Sequence, residues 1–187
     1  YSAFLDAGSA GEFARRYHAD RLPAWNRILE HPAYTRFWQE QAVQKLLEKV
    51  DLKVATLNVH SLYDQEDIYG AIASYDVLEK KDGGNDLNYL VMGPWHHGQI
   101  RLDGSALGRI PWNADTSLYF REKVRQPFWD HYLKGKVPQQ QPAPVLAFET
   151  GVNEWREYAS WPPRQRVAPT KIYLHANGGL SFDAPGA

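Results

Sequence analysis

Apolar positions in the first fifty residues recur with helical spacing but are interrupted often. Between Ala33 and Val50, residues Phe37, Trp38, Val43, Leu46, Leu47 and Val50 form a stripe rather than an alternation, and Pro23 and Pro32 punctuate a segment dense in Ala, Glu, Arg and Gln. Two or three short helices are expected over 1–50. The run KVATLNVHS at 53–61 gathers Val54, Leu57 and Val59 and leads into LYDQED, which reads as a buried strand ending in a loop. Asp67 is placed to cap a following helix with apolar positions Ile68, Ile72, Tyr75 and Leu78, ended by Asp-Gly-Gly at 82–84. A second strand, NYLVMG at 88–93, runs into PWHHG. Strand, helix and strand with a crossover of this length predict a parallel pair whose carboxyl ends open on one edge.

After a Gly/Pro-rich connection, Asp115 and Thr116 open a long helix carrying Leu118, Phe120, Val124, Phe128 and Tyr132 on one side. Pro127 is expected to kink it and Gly135 to end it. Beyond, VPQQQPAP has linker chemistry, and VLAFET at 145–150 and KIYLHA at 171–176 read as strands of a separate β-rich domain.

Composition narrows the function classes. Hydrophobic residues at 43% and charged residues at 23% are globular values, while a mean hydropathy of −0.56 is low for a complete enzyme domain. A net charge of −1 without a basic stripe argues against a nucleic-acid partner. No apolar stretch approaches the ~20 residues of a membrane-spanning helix, so no membrane role is expected. The absence of cysteine removes disulfides and thiolate metal sites.

Candidate chemistry sits at the expected strand ends, where open α/β sheets bind ligands. Asp64 follows the first strand and His97 the second. An imidazole that takes a proton from a hydroxyl must be held in one tautomer, and its imidazolium stabilised, which is what a neighbouring carboxylate does. Acid then histidine is the chain order of the α/β-hydrolase triad, with a serine before both. Taken alone, Asp64 equally suits a turn or helix-capping carboxylate and His97 a surface histidine. Ser2, Ser9, Ser61, Ser74, Ser105, Ser117, Ser160 and Ser181 all lack the G-x-S-x-G surroundings of a nucleophile elbow. A serine hydrolase built on this pair would therefore carry its nucleophile upstream of Tyr1, and the chain would be its C-terminal part. His96 and His97 with Asp64, Glu66 and Asp67 suggest a zinc site at first sight, but adjacent histidines point apart on extended chain and no H-x-x-x-H spacing occurs, so no metal is expected.

The segment SLYDQEDIYGAIASYDVLE followed by NYLVMGPWHHGQ resembles the α-amino-acid ester hydrolases, relatives of the glutaryl-cephalosporanate acylase, cocaine esterase and X-Pro dipeptidyl-peptidase group of serine hydrolases. The Gly-Pro-Trp-x-His motif at 93–97 is shared by the whole group; Asp-Gln-Glu-Asp at 64–67 is narrower and points to the amino-ester hydrolases. The resemblance implies Asp64 as triad acid, His97 rather than His96 as base, and Glu66 and Asp67 as part of a carboxylate cluster binding the substrate ammonium. It implies an α/β fold in three parts: a helical cap segment at 1–50, the C-terminal part of an α/β-hydrolase domain at 51–136, and the start of a β jelly roll at 137–187. It further implies small-molecule esters or amides as substrates, including β-lactam acyl side chains, no cofactor, and a periplasmic or secreted bacterial homo-oligomer completed by the N-terminal part of the same hydrolase. A glutaryl-acylase or cocaine-esterase type enzyme is one alternative, and a non-catalytic binding fragment another.

Overall fold

The computed structural model describes residues 1–138, 142–163 and 168–186. They divide into two compact units interleaved in sequence, one of 1–54 and 69–87 and one of 55–68 and 88–187.

The first unit holds short helices: α1 (Ser2–Ala7), α2 (Ala10–Tyr17), α3 (Pro23–Glu30), α4 (Arg36–Gln41), α5 (Val43–Leu47) and α6 (Gly70–Glu79). More breaks occur than the hydrophobic stripe predicts, for local reasons. Ser9 caps α2 by accepting from the Glu12 N–H at 3.1 Å, and His18 ends that helix in the left-handed conformation. The stripe of 33–50 is divided at Ala42, whose extended backbone separates α4 from α5. Lys81 closes the C-terminal end of α5, its Nζ donating to the carbonyls of Leu47 at 2.6 Å, Glu48 at 3.0 Å and Val50. A cation there answers both the unpaired carbonyls and the negative end of the helix dipole.

The second unit is built on a sheet of order β1 (Thr56–Ser61), β2 (Asn88–Gly93), β5 (Val145–Glu149) and β6 (Glu154–Tyr158), while β3 (Ala106–Leu107) and β4 (Ile110–Pro111) form a separate antiparallel pair. β1 and β2 pair in parallel from Thr56 opposite Asn88 to Ser61 opposite Gly93, as the strand–helix–strand pattern predicts. β5 is a correction to the sequence reading, which assigned it to a separate β domain. It pairs in parallel with β2, Leu90 opposite Val145, and β6 returns antiparallel to it. The physical reason lies in its side chains: Val145, Leu146, Ala147 and Phe148 are all buried, the continuous apolar run of an internal strand covered on both faces. Beyond β6, two short strands, Tyr173–Leu174 and Leu180–Ser181, pair antiparallel.

Asp115 caps the next helix, its carboxylate accepting from the Leu118 N–H at 2.9 Å, so the predicted start at 115–116 is observed. The predicted single kinked helix is instead α7 (Thr116–Tyr119), a π-helical stretch over Phe120–Arg125, and α8 (Gln126–Lys134). The wider turn lies just before Pro127, which lacks an N–H and whose ring would meet the carbonyl four residues back. One face of the sheet is covered by this segment: Val91, Trp95, Phe120 and Leu146 form the core, with Leu57, Val59, Ile100, Val124 and Trp155 packed against it. Trp155 on β6 stacks on Tyr119 at 5.2 Å and meets Phe148 edge-on at 5.3 Å.

Candidate active site

Asp64 and His97 are brought together by an extension of the β1–β2 pairing past the strand ends. The Leu62 N–H donates to the Gly93 carbonyl at 2.9 Å and the Tyr63 N–H to the Trp95 carbonyl at 3.0 Å, so the two loops leave the sheet side by side. The Asp64 N–H then turns back to the Ser61 carbonyl at 3.1 Å. Its carboxylate accepts from the backbone N–H of Glu66 at 2.8 Å and of Asp67 at 2.9 Å, both at Oδ1. Those bonds overturn one expectation. Asp67 does not cap α6, which begins at Gly70 without a side-chain cap, because the Asp64 carboxylate draws residues 66 and 67 into its own turn and delays the helix.

The His97 ring donates Nδ1–H to Asp64, 3.1 Å from Oδ2 and 3.3 Å from Oδ1. The Asp64 side chain is 7% exposed and the His97 side chain 44%. The other ring nitrogen, Nε2, lies 3.9 Å from Glu66 Oε2. Burial works against the Asp64 charge, but the two backbone donors and the imidazole outweigh it and hold the carboxyl below its usual range. An ionised acceptor at Nδ1 leaves Nε2 as the basic nitrogen. His96 stands apart, its Nδ1–H donating to the His97 carbonyl at 3.0 Å. Asp67 joins the cluster through its backbone N–H, and its side chain is exposed. Among the described residues no serine hydroxyl is hydrogen-bonded to His97.

Pattern reading missed His60. It lies buried on β1, four residues before Asp64, and its Nδ1 has no hydrogen-bond partner. Burial lowers its pKa from the ordinary value, and the Asp64 charge acts in the opposite sense. Its signal in the sequence is positional: it alternates in β1 with Asn58, which is buried and donates to Asn88 Oδ1 at 2.9 Å. Trp95 packs under the histidine loop with no exposed surface, as its place beside that loop suggests. Its ring covers Gly93 so closely that a Cβ there would lie 2.3 Å from Cη2. Among the described residues no group of three or more His, Cys, Asp or Glu is placed to hold a metal ion, and no helix is long and apolar enough to cross a membrane.

A comparison with curated proteins finds no match. Among solved structures the chain is similar to an aminopeptidase from the marine sediment archaeon Thaumarchaeota archaeon, with TM-score 0.90 and 42% identity over 100% of this chain and 30% of that one. It is similar also to an α-amino acid ester hydrolase labelled with selenomethionine, with TM-score 0.88 and 45% identity over 100% of this chain and 31% of that one. A CocE/NonD family hydrolase from Staphylococcus aureus shares the fold, with TM-score 0.53 and 17% identity over 96% of this chain and 29% of that one. The chain thus spans about 30% of the length of the structures it matches. Residues 1–99 match the X-Pro dipeptidyl-peptidase (S15) family, a stretch that holds both the Asp64 turn and the Gly-Pro-Trp-x-His loop. By that match the chain belongs to the X-Pro dipeptidyl-peptidase (S15) family of hydrolases.

Proposed function

We propose that this chain carries the acid and base of a serine hydrolase that cleaves, or transfers the acyl group of, esters and amides of α-amino acids, β-lactam acyl side chains among them. The observation that carries the reading is the Asp64–His97 pair, with Nδ1 held by a carboxylate and Nε2 3.9 Å from Glu66 Oε2. His97 takes the proton of a serine lying outside this chain as that oxygen attacks the carbonyl, then returns it to the leaving alcohol or amine. Water or an amine resolves the acyl-enzyme by the same transfers in reverse. Asp64 keeps the imidazole in the required tautomer and stabilises the imidazolium. The nucleophile and the oxyanion hole are assigned to the rest of the hydrolase, which assembles as a homo-oligomer.

Two of the similar proteins, one named an aminopeptidase and one an α-amino acid ester hydrolase, share a chemical demand. Both act beside a free amino group one carbon from the scissile carbonyl. Glu66, 3.9 Å from His97 Nε2, and Asp67, exposed in the same turn, supply negative charge suited to an ammonium and unsuited to a glutaryl carboxylate, which ranks the glutaryl-acylase reading second.

The test compares an α-amino ester with its des-amino counterpart on the full-length enzyme. His97→Ala and Asp64→Asn are expected to lower kcat on both by orders of magnitude. Glu66→Gln and Asp67→Asn are expected to raise KM for the amino ester by about one to two decades and to leave the des-amino ester nearly unchanged, since a charge-assisted hydrogen bond contributes roughly 1.5–3 kcal/mol. Equal losses on both esters would make the two acids structural. Survival of kcat within about tenfold in His97→Ala would remove the pair from the mechanism.

A further inference from the structure

The His97 side chain is 44% exposed; the Asp64 bond at Nδ1 orients its ring, and the backbone on either side sets where that ring stands. Two buried side chains hold that backbone, one two residues before His97 and one two residues after.

Before it, Trp95 Nε1–H donates to Thr116 Oγ1 at 2.9 Å, and the Thr116 hydroxyl donates onward to the Gly104 carbonyl at 2.8 Å. The Gly104 N–H in turn donates to Asp115 Oδ1 at 2.9 Å, the carboxylate that caps α7. After it, Gln99 uses its whole amide. Its Oε1 accepts from the His96 N–H at 3.1 Å, and its Nε2 donates to the carbonyls of Asp103 at 3.1 Å and Ala106 at 2.7 Å. The Gln99 carbonyl accepts from the buried Ser117 hydroxyl at 3.2 Å. Between His97 and Gln99 the chain turns through Gly98 with φ of 75°, a left-handed conformation that favours glycine. Trp95, Gln99, Thr116 and Ser117 are all buried, so the bonds Trp95 to Thr116, Thr116 to Gly104 and Ser117 to Gln99 are shielded from water and losing one leaves a buried polar group unpaired.

We infer that Gln99 and Thr116 are positioning residues that clamp the His97 loop from both sides to the 103–117 segment. Neither touches substrate or a reacting atom; both act through the backbone of residues 95–99. The inference rests on the proposed role of His97. Misplacing a reacting group by about 1 Å costs on the order of 100-fold in rate, so a clamp of this kind is visible in kcat.

The experiment uses the full-length enzyme and an α-amino ester. Gln99→Met keeps the volume and loses every amide bond, Thr116→Val replaces one hydroxyl by a methyl, and Thr116→Ser restores the hydroxyl. Asn58→Ala, which breaks a buried pair on β1 away from the loop, serves as the control for lost stability. Gln99→Met and Thr116→Val are expected to lower kcat by about 10- to 100-fold with KM within about twofold, and Thr116→Ser to return to within about threefold of wild type. Asn58→Ala is expected to lower Tm and keep kcat. Amide exchange gives a readout independent of activity: the His96 N–H should exchange at least about tenfold faster in Gln99→Met than in Asn58→Ala. If Gln99→Met fails to fold, Thr116→Val and Thr116→Ser decide alone. The clamp is overturned if folded variants keep kcat within about threefold, or if their kcat falls only as in Asn58→Ala. A wild-type enzyme inert toward the ester, or a His97→Ala variant that retains kcat, would sink the proposed function instead, and the exchange rates would still judge the clamp.

Discussion

The charge on Asp64 and the neutrality of His60 oppose each other across four residues of chain, and their titrations separate. The folded-state pKa of Asp64 is lowered from 3.8. The unfolded chain therefore binds the extra proton first, so the stabilisation is complete above that value and is lost as pH falls through the lower, folded one. The His60 pKa is lowered from 6.5, chiefly by burial. Here too the unfolded chain takes up the proton first, so stability declines as pH drops below 6.5 and levels off beneath the folded value. Denaturant unfolding of the full-length enzyme should thus show two acid steps. His60→Gln is expected to remove the one that begins near 6.5, and Asp64→Asn, which keeps an acceptor for the 66 and 67 N–H groups, to diminish the one below 3.8, to which Asp103 and Asp130 also contribute. Unchanged pH dependence in His60→Gln would show that burial of this imidazole is not coupled to folding. At this scale the acid and base were legible because loop residues after two adjacent parallel strands must share an edge. Gln99 was not legible, since a glutamine near a loop is ordinarily a solvated one and only the fold reveals its three side-chain bonds.

Among the elements, the sequence predicts β2 at its observed bounds because the apolar run from Tyr89 to Met92 between turn signals admits few alternatives. The helix cap expected at Asp67 lies two residues later, at Tyr69, because a side chain, Asp64, competes for the backbone of the expected first turn. β5 was read as a strand but given to the wrong assembly: periodicity reports how a segment is buried, not which neighbour buries it. Gly93, the last residue of β2, ties strand to site. An added Cβ would lie 2.3 to 2.5 Å from three atoms of the Trp95 ring, which is wholly buried and held at Nε1 by Thr116. Gly93→Ala must therefore displace Trp95, and with it the loop that carries His97. Overpacking of this kind costs about 1–3 kcal/mol. The expected outcome is a lower Tm together with a fall in kcat exceeding that of Asn58→Ala. A lower Tm with kcat intact would show that Trp95 can shift without moving His97.

For the molecule as a whole, the decisive feature is how much apolar surface each unit leaves open. In the first unit Leu5, Tyr34 and Tyr69 are exposed, and in the second Leu133, Val137, Leu174 and Phe182. β1 lies at the edge of the four-stranded sheet, paired on one side with β2. Edge strands with apolar residues and no flanking charge recruit further strands. The net charge of −1 offers almost no repulsion against that recruitment. Produced by itself, the 187-residue chain is therefore expected to self-associate. Light scattering coupled to gel filtration at tens of micromolar should give a mass well above 21.4 kDa, with dye binding to exposed apolar surface. Raising the salt should not disperse the assemblies, because the attraction is apolar and salt screens only charge. A monodisperse species of 21.4 kDa without dye binding would show that the exposed side chains and the β1 edge are tolerated as they stand. Dispersal by salt would place the attraction in charge pairs instead, and would count against the apolar account equally.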